Sequence, residues 1–496
     1  LHVAVPISDE KRQIALPPGI SRGYLLRHRA CPRTRDPDGT LVISAVVTPL
    51  IDDALADFSL LFDCETRVEE VADSDLELLI ERLTASSPDH VDFAREGYTD
   101  DAIISDVRDL ASQPPVVRFV NLLVRDAFEA GASDIHLEAT RTALVTRYRI
   151  DGVLTGGPQP SPDLRHAIVS RIKLLAELDI AERRRPQDGR VRVRLESREL
   201  DLRVSTIPTM HGESVVLRLL DSGGRPIELS ELGLTERALA EVVRIVKRPH
   251  GMLLVTGPTG SGKTTTLYSA LGQRSFREEK IITVEDPVEY QLEGVAQMPV
   301  SREVGVTFAA ALRSILRQDP DVVMIGEMRD AETAEIAVQA AMTGHLVLST
   351  LHTNDALSAI PRLVDLGVPE YLIAATLEGV LAQRLVRRIC DHCRIEEDVD
   401  PSLLAELAGR PVGRSRGSRG LGCPSCRGTG YRGRMGIFEV MTMNDALRDA
   451  IARRVPRAAL RELAEESGLE PLRLDGLRLV ANGTTSLQEV LRVVRQ

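Results

Sequence analysis

The chain has no tryptophan, and aromatic residues make up only 3% of it. Grooves that track single-stranded nucleic acid stack bases on aromatic side chains, so this poverty argues against that class of partner. An excess of positive charge is also missing. The 62 lysines and arginines face 73 aspartates and glutamates, for a formal net charge of −11. No long basic arm is present to meet a phosphate backbone. Long hydrophobic runs are absent as well. Stretches such as Met252–Val255 and Val322–Ile325 fall far short of the ~20 apolar residues that span a bilayer. No secretory signal is visible in the sequence, which opens on Leu1. Six cysteines in 496 residues make no disulfide scaffold, and four of them form two C-x-x-C pairs. That usage points to a reducing compartment and to metal. Together these features predict a soluble, cytoplasmic chain without a nucleic-acid partner, long enough for about three domains.

What is present is organised around one stretch. Gly257-Pro258-Thr259-Gly260-Ser261-Gly262-Lys263-Thr264 fits the phosphate-loop pattern G-x-x-x-x-G-K-[ST]. The apolar run Met252–Val255 reads as a buried strand leading into it, and Thr265–Leu271 as the helix leaving it. The glycines let the backbone turn its N–H groups onto phosphate oxygens at a helix N-terminus. Lys263 is expected to reach the β- and γ-phosphates and the Thr264 hydroxyl to hold Mg²⁺, with Thr265 next to it. The chain is therefore expected to bind a nucleoside triphosphate.

Two further stretches share a design of apolar strand followed by acid. One is Ile281–Val284 with Glu285, Asp286 and Glu289; the other is Val322–Ile325 with Gly326 and Glu327. Such strand ends aim carboxylates at Mg²⁺ or at the attacking water. Glu327 is expected to orient or deprotonate the attacking water, and Glu285 and Asp286 to complete the metal's surroundings. Surface acids at strand ends would explain either stretch alone, but explain the two together less well. His345 and His352 flank one apolar strand and are read as sensors of the γ-phosphate. Their spacing along a strand is too wide for a shared metal.

Cys390, Cys393, Cys423 and Cys426 supply four thiolates, the donor set of a closed structural Zn²⁺ site. A redox pair is the competing reading. The Arg/Gly-rich insert Arg410–Gly422 between the pairs is expected to be flexible, and Cys31 and Cys64 to be ordinary thiols. Upstream, Asp134–Glu138 and Leu144–Leu154 alternate as strands around an Asp151-Gly152 turn, a hairpin signal. The arginines of that region suit solvated faces, and a few of them suit phosphate. Residues 1–95 read as a docking module or a structural cap, followed by a polar linker over Ala85–Asp101. From about residue 230 strands and helices alternate as in a parallel α/β sheet.

From residue 100 onward these features resemble the secretion ATPases of type II secretion systems and type IV pilus assembly, the GspE/PulE/PilB group. The resemblance rests on the phosphate loop, the acidic stretch Thr283–Glu289, Gly326–Asp330 in place of an aspartate-bearing strand end, Thr343–Asp355, the tetracysteine module and the end Gly483–Leu491. It implies an α/β fold with five parts. These are a small N-terminal domain (1–95), an α+β, PAS-like second domain (96–230), a RecA-like ATPase domain (231–388), a tetracysteine module (389–436) and a helical C-terminal region (437–496). It further implies a homo-hexamer in which Arg203 and Arg218 of the second domain, and Arg313 and Arg317 of the ATPase domain, contact phosphates. Expected partners are the cytoplasmic domain of a GspL-like inner-membrane protein, bound through residues 1–95, and a GspF-like platform protein. Localisation would be peripheral at the inner membrane, with ATP hydrolysis driving pseudopilus assembly. A pilus-extension ATPase, a DNA translocase and a nucleotide-bound scaffold are the alternatives.

Overall fold

The computed structural model describes Leu25 and residues 29–36, 38–46, 51–62, 64–72, 75–76, 79–80, 92–93, 114–195, 198–221, 227–301, 303–413 and 415–495. Most of the expected linker over 85–101, and part of the amphipathic helix expected over 76–83, lie outside these residues. The chain divides into two compact units, one of residues 1–125, 163–175 and 193–197, the other of residues 126–162, 176–192 and 198–496.

In the first unit, strands β1 (Ala30–Arg35), β2 (Leu41–Ala45) and β3 (Thr66–Glu70) form a sheet in the order β1-β2-β3. β1 and β2 are antiparallel and β2 and β3 parallel. The parallel pair needs a crossover, which helix Ile51–Phe62 supplies. Ala54 and Phe58 of that helix pack on Leu41 and Ile43 of the sheet. Cys31 is buried here, and burial pushes its thiol up to about 12, so it is an unreactive core thiol. A two-residue strand β4 (Asp92–Phe93) pairs with Val193–Arg194.

The second unit contains two large sheets. The first comprises β5 (Ala132–Ala139), β6 (Leu144–Ile150), β7 (Val153–Gly156), β8 (Gln187–Leu195, up to Arg192 in this unit), β9 (Arg198–Thr209) and β10 (Gly212–Asp221). Their order is β8-β9-β10-β5-β6-β7. Asp151 and Gly152 join β6 to β7 with φ of 49° and 83°. Two successive positive φ values suit the right-handed twist of a hairpin, and the Asp-Gly pair tolerates them. Arg203 of β9 and Arg218 of β10 are direct cross-strand partners.

The second sheet carries the phosphate loop. Its strands are β11 (Gly251–Thr256), β12 (Ile281–Glu285), β13 (Ala296–Pro299), β14 (Val322–Ile325), β15 (Leu346–Leu351) and β16 (Leu377–Ile389). After the hairpin β17 (Arg394–Val399) and β18 (Ser415–Gly420), strand β19 (Tyr431–Thr442) completes it. The order is β13-β12-β14-β15-β11-β16-β19. Neighbours run parallel except β19, which is antiparallel to β16. Every residue of β11 and β14 is buried, as both faces of the sheet are covered. Successive β11 side chains feed opposite cores. Met252 and Leu254 join the cluster of helices Phe308–Ile315 and Ala331–Met342. Leu253 and Val255 join that of helices Glu236–Val246 and Lys263–Leu271.

The insert expected to be flexible, Arg410–Gly422, is in part β-structure, because Ser415–Gly420 is β18 and pairs along the whole of β17. Arg416 and Arg419 meet Glu396 and Glu397 across the ladder. A side chain at Gly417 would collide with Val399, so the glycine is required by packing and is no sign of disorder. The C-terminal region is helical as expected, with helices Asp445–Ala452, Arg457–Glu466, Leu472–Ala481 and Leu487–Val494. Their buried residues Leu447, Leu460, Leu479 and Val490 complete the same cluster that holds Met252.

Candidate active site

β11 ends at Thr256, and the chain turns through Gly257 with φ 151°. A Cβ at Gly257 would collide with the main-chain carbonyl of Gln383 on β16, so only glycine passes here. Gly262, in the left-handed region at φ 87°, is the N-cap of helix Lys263–Leu271 and has no side chain to cap it. The first-turn N–H groups are therefore available to an anion. Ser261 is 3% exposed, and its hydroxyl has no hydrogen-bond partner among the described residues. The Lys263 ammonium donates to the carbonyls of Gly257 (2.9 Å) and Pro258 (3.0 Å). Burial lowers its pKa, and the negative charge of Glu327 works in the opposite sense. Lys263 and Glu327 thus share one electrostatic environment.

Strand order accounts for that closeness. β15 lies between β11 and β14, so whatever follows β15 stands between the phosphate loop and Glu327. Two strand spacings separate β11 from β14, about 10 Å. β15 fixes the backbone on either side of Glu327. The Thr350 hydroxyl donates to the Gly326 carbonyl (2.7 Å), and Met328 N–H donates to the Thr350 carbonyl (3.1 Å). The Glu327 carboxylate pairs with Arg329 and lies 3.4 Å from His352 Nε2. Past His352, Thr353 N–H donates to the Thr256 hydroxyl (2.8 Å), tying the exit of β15 to that of β11.

The other expected residues divide. Arg203 is 22% exposed at its side chain, donates to the Val288 carbonyl (3.4 Å) and lies 3.8 Å from Glu289. Burial lowers its pKa, opposed chiefly by Glu289. It is thus held to the segment that follows β12, while Arg218, opposite it, donates to Asp134 (3.0 Å). Arg313 pairs with Glu332, and Arg317 donates to the Arg313 carbonyl (2.8 Å). Asp286 is exposed just beyond the end of β12.

Two expectations need correction. Glu285 is 2% exposed, and both its oxygens accept internal hydrogen bonds, from Tyr268, from Thr283 (2.5 Å) and from Gln297 (3.2 Å). Its carboxylate anchors a buried network and is not offered to a metal. His345 precedes β15, where its carbonyl accepts from Gly251 N–H (3.1 Å) and its Nδ1 contacts the Ala340 carbonyl (3.0 Å). That is the opposite edge of the sheet from the phosphate loop, a strand length or about 20 Å away.

The four cysteines converge, with their sulfurs all within 4.8 Å of one another. Sγ–Sγ separations are 3.8 Å for Cys390–Cys423, 3.9 Å for Cys393–Cys426 and 3.7 Å for Cys423–Cys426. A tetrahedron of ~2.3 Å Zn–S bonds has edges of about 3.8 Å. Backbone N–H groups of Gly422, Cys423 and Gly430 point at sulfur, at 3.3, 3.1 and 3.2 Å. Such donors favour thiolate over thiol. All four cysteines are free of disulfide, and the four sulfurs lie together in one cluster, as a shared metal requires.

A family described as "Type II/IV secretion system protein" matches residues 109–492. The chain is 51% identical over 392 residues to the type II secretion system protein HxcR of Pseudomonas aeruginosa, covering 79% of this chain and 80% of that one. It belongs to the type II secretion ATPase E family. Type II secretion system protein E of Xanthomonas campestris pv. campestris is 45% identical over 508 residues, covering 99% of this chain and 88% of its own. The X-ray structure of the Legionella pneumophila ATPase DotB matches 75% of this chain and 94% of its own with a TM-score of 0.55, and at 20% identity it shares the fold.

As a secretion ATPase E the protein is a nucleotide-using enzyme of type II secretion. Among its described residues no helix is long and apolar enough to cross a membrane. Three residues at or beside the family's site were not singled out from sequence: Arg329 on Glu327, Tyr268 on Glu285, and Gln383 on the phosphate loop. Gln383 did leave a signal, as a lone amide in the apolar run Leu381-Ala382-Gln383.

Proposed function

We propose that this secretion ATPase works as a homo-hexamer that hydrolyses ATP at the loop Gly257–Thr264. Lys263 and the N–H groups of Gly260 to Thr265 hold the β- and γ-phosphates, with Pro258 and Thr259 forming the exposed lip. Thr264 would hold Mg²⁺, which when bound neutralises phosphate charge, with Asp286 in its surroundings. Glu327 takes a proton from the attacking water as the oxygen bonds to the γ-phosphorus. The bond from that phosphorus to the bridging oxygen breaks, and ADP carries away the charge. His352, beside Glu327, keeps the carboxylate aimed and senses the γ-phosphate. Arg203 and Arg218, side by side on β9 and β10, and Arg313 and Arg317 stabilise charge developing on the transferred group. The observation that carries this reading is the shared environment of Lys263 and Glu327, set by β15 between their strands.

The five-part division expected from sequence, a RecA-like domain and a PAS-like second domain among them, accompanies the same reading. So does Zn²⁺ in the tetracysteine module, whose sulfur spacing suits it. The names of the relatives support a role in type II secretion, and a motor peripheral to the inner membrane on its cytoplasmic side belongs to the same reading. Residues 1–95 would dock on a GspL-like cytoplasmic domain, a GspF-like platform would receive the motion, and pseudopilus assembly would be the output. Lys263→Ala tests the nucleotide site. Its Mg·ATP affinity should fall at least about a hundredfold, the loss of charge-assisted bonds to two phosphates. The GspL-like domain with acidic phospholipid should stimulate hydrolysis by the wild type, and DNA should not. Stimulation by DNA alone would overturn the assignment of partners, and unchanged affinity in Lys263→Ala would overturn the site.

A further inference from the structure

We propose that Gln383 is a positioning residue that sets the shape of the phosphate loop by aiming one of its peptide N–H groups. The inference rests on the nucleotide-binding reading above.

Gln383 is 2% exposed, on β16 one residue beyond the pairing of Ala382 with Thr256 at the end of β11. It touches the loop at three levels. Its own carbonyl occupies the space that a side chain at Gly257 would fill. Its side-chain Nε2 donates to the Ser261 carbonyl at 2.7 Å, and its Oε1 accepts from the Thr266 hydroxyl at 2.7 Å. All of these groups are buried. A carbonyl can only accept, so the amide nitrogen must face Ser261 and the amide oxygen must face Thr266. A flipped amide would set oxygen against oxygen.

The peptide bond converts this grip into an orientation. In a planar trans peptide the C=O and the following N–H point in opposite directions. Pulling the Ser261 carbonyl towards Gln383 therefore turns the Gly262 N–H the other way, into the concave side of the loop where phosphate oxygens are received. Gly262 is free to accept this setting because its φ is 87°. The Thr266 contact holds the first turn of the helix in the same frame. At neutral pH and above, only a carboxamide has donor and acceptor on one carbon at this reach. Glutamate loses the donor and methionine loses both.

The test is Mg·ADP binding by calorimetry and Mg·ATP turnover for the wild type, Q383M, Q383E and T266V. Q383M, close in volume, should weaken Mg·ADP at least tenfold, with kcat at saturating ATP within about threefold, because Glu327 is untouched. Q383E should lose as much at pH 8 and recover part of it towards pH 5.5, where a protonated acid can again donate to the Ser261 carbonyl. T266V should lose less, and should add little on top of Q383M. Q383M binding Mg·ADP within twofold of wild type would overturn the proposal, as would a loss in Q383E that is the same at every pH. If Q383M fails to fold, the pH response of Q383E decides. A wild-type protein that binds no Mg·ADP would overturn the nucleotide reading itself.

Discussion

In Glu327→Gln the maximal rate of ATP hydrolysis should fall about a thousandfold, while ATP affinity should stay within a few-fold of wild type. Glutamine keeps the shape of the side chain and its contact with Arg329, but cannot take a proton from water. The carboxylate is 13% exposed, pinned between Arg329 and His352, and its backbone is held on both sides by Thr350. The substitution therefore alters the chemistry with little change in geometry. Affinity should survive because, on the proposed reading, Lys263 and the loop N–H groups that hold the phosphates stand at a different strand end from Glu327. Single-turnover hydrolysis and equilibrium ATP binding on the same preparation separate the two effects. A rate within tenfold of wild type would move the general base to another group.

The second large effect is metal loss. On the zinc reading proposed above, Cys423→Ser with Cys426→Ser should abolish bound zinc, from about one ion per chain to none, and should lower the unfolding temperature by about 5 °C or more. The module is not a free appendage. Cys390 follows directly on β16, its N–H donates to the Gly430 carbonyl, and β19 begins at Tyr431. Gly433 N–H donates to Asp151 (2.7 Å), and Arg427 pairs with Asp126 (2.7 Å). In this variant Cys390 and Cys393 lose the two sulfurs that complete the cluster, and the ends of two long strands lose their common anchor. Metal analysis with a thermal melt checks this. An unchanged melting temperature in the metal-free variant would make the cluster dispensable for the fold.

Much of this arrangement was legible in the residues. Local rules sufficed wherever one strand or one turn carried the signal. The run Met252–Val255 fell within β11, Asp151-Gly152 made its hairpin, and two C-x-x-C pairs made one cluster. What failed was whatever depends on which end of a strand a residue occupies, or on what its side chain meets. His345 and His352 flank the same strand, so they stand at its opposite ends, and only the His352 end is that of the phosphate loop. Glu285 ends a strand as Glu327 follows one, but Tyr268 and Gln297 close over it. Arg/Gly composition suggested a loose insert where cross-strand charges build a ladder. Gln383 was missed because its partners lie 122 and 117 residues away in the chain.

The pairing of β16 has a bearing on how the protein can be shortened. One side of β16 runs parallel to β11 and the other antiparallel to β19, and Leu377 to Arg384 are all buried. A chain cut after Arg388 would keep the phosphate loop, Glu327 and Gln383. It would also bare a long row of unpaired N–H and C=O groups flanked by apolar side chains, a template for neighbouring chains. Such a truncation should elute from a sizing column as aggregate and not as a minimal enzyme. The residues after 388, remote in sequence from every phosphate contact, act as the selvage of this sheet: they give it a finished border, and solubility depends on them.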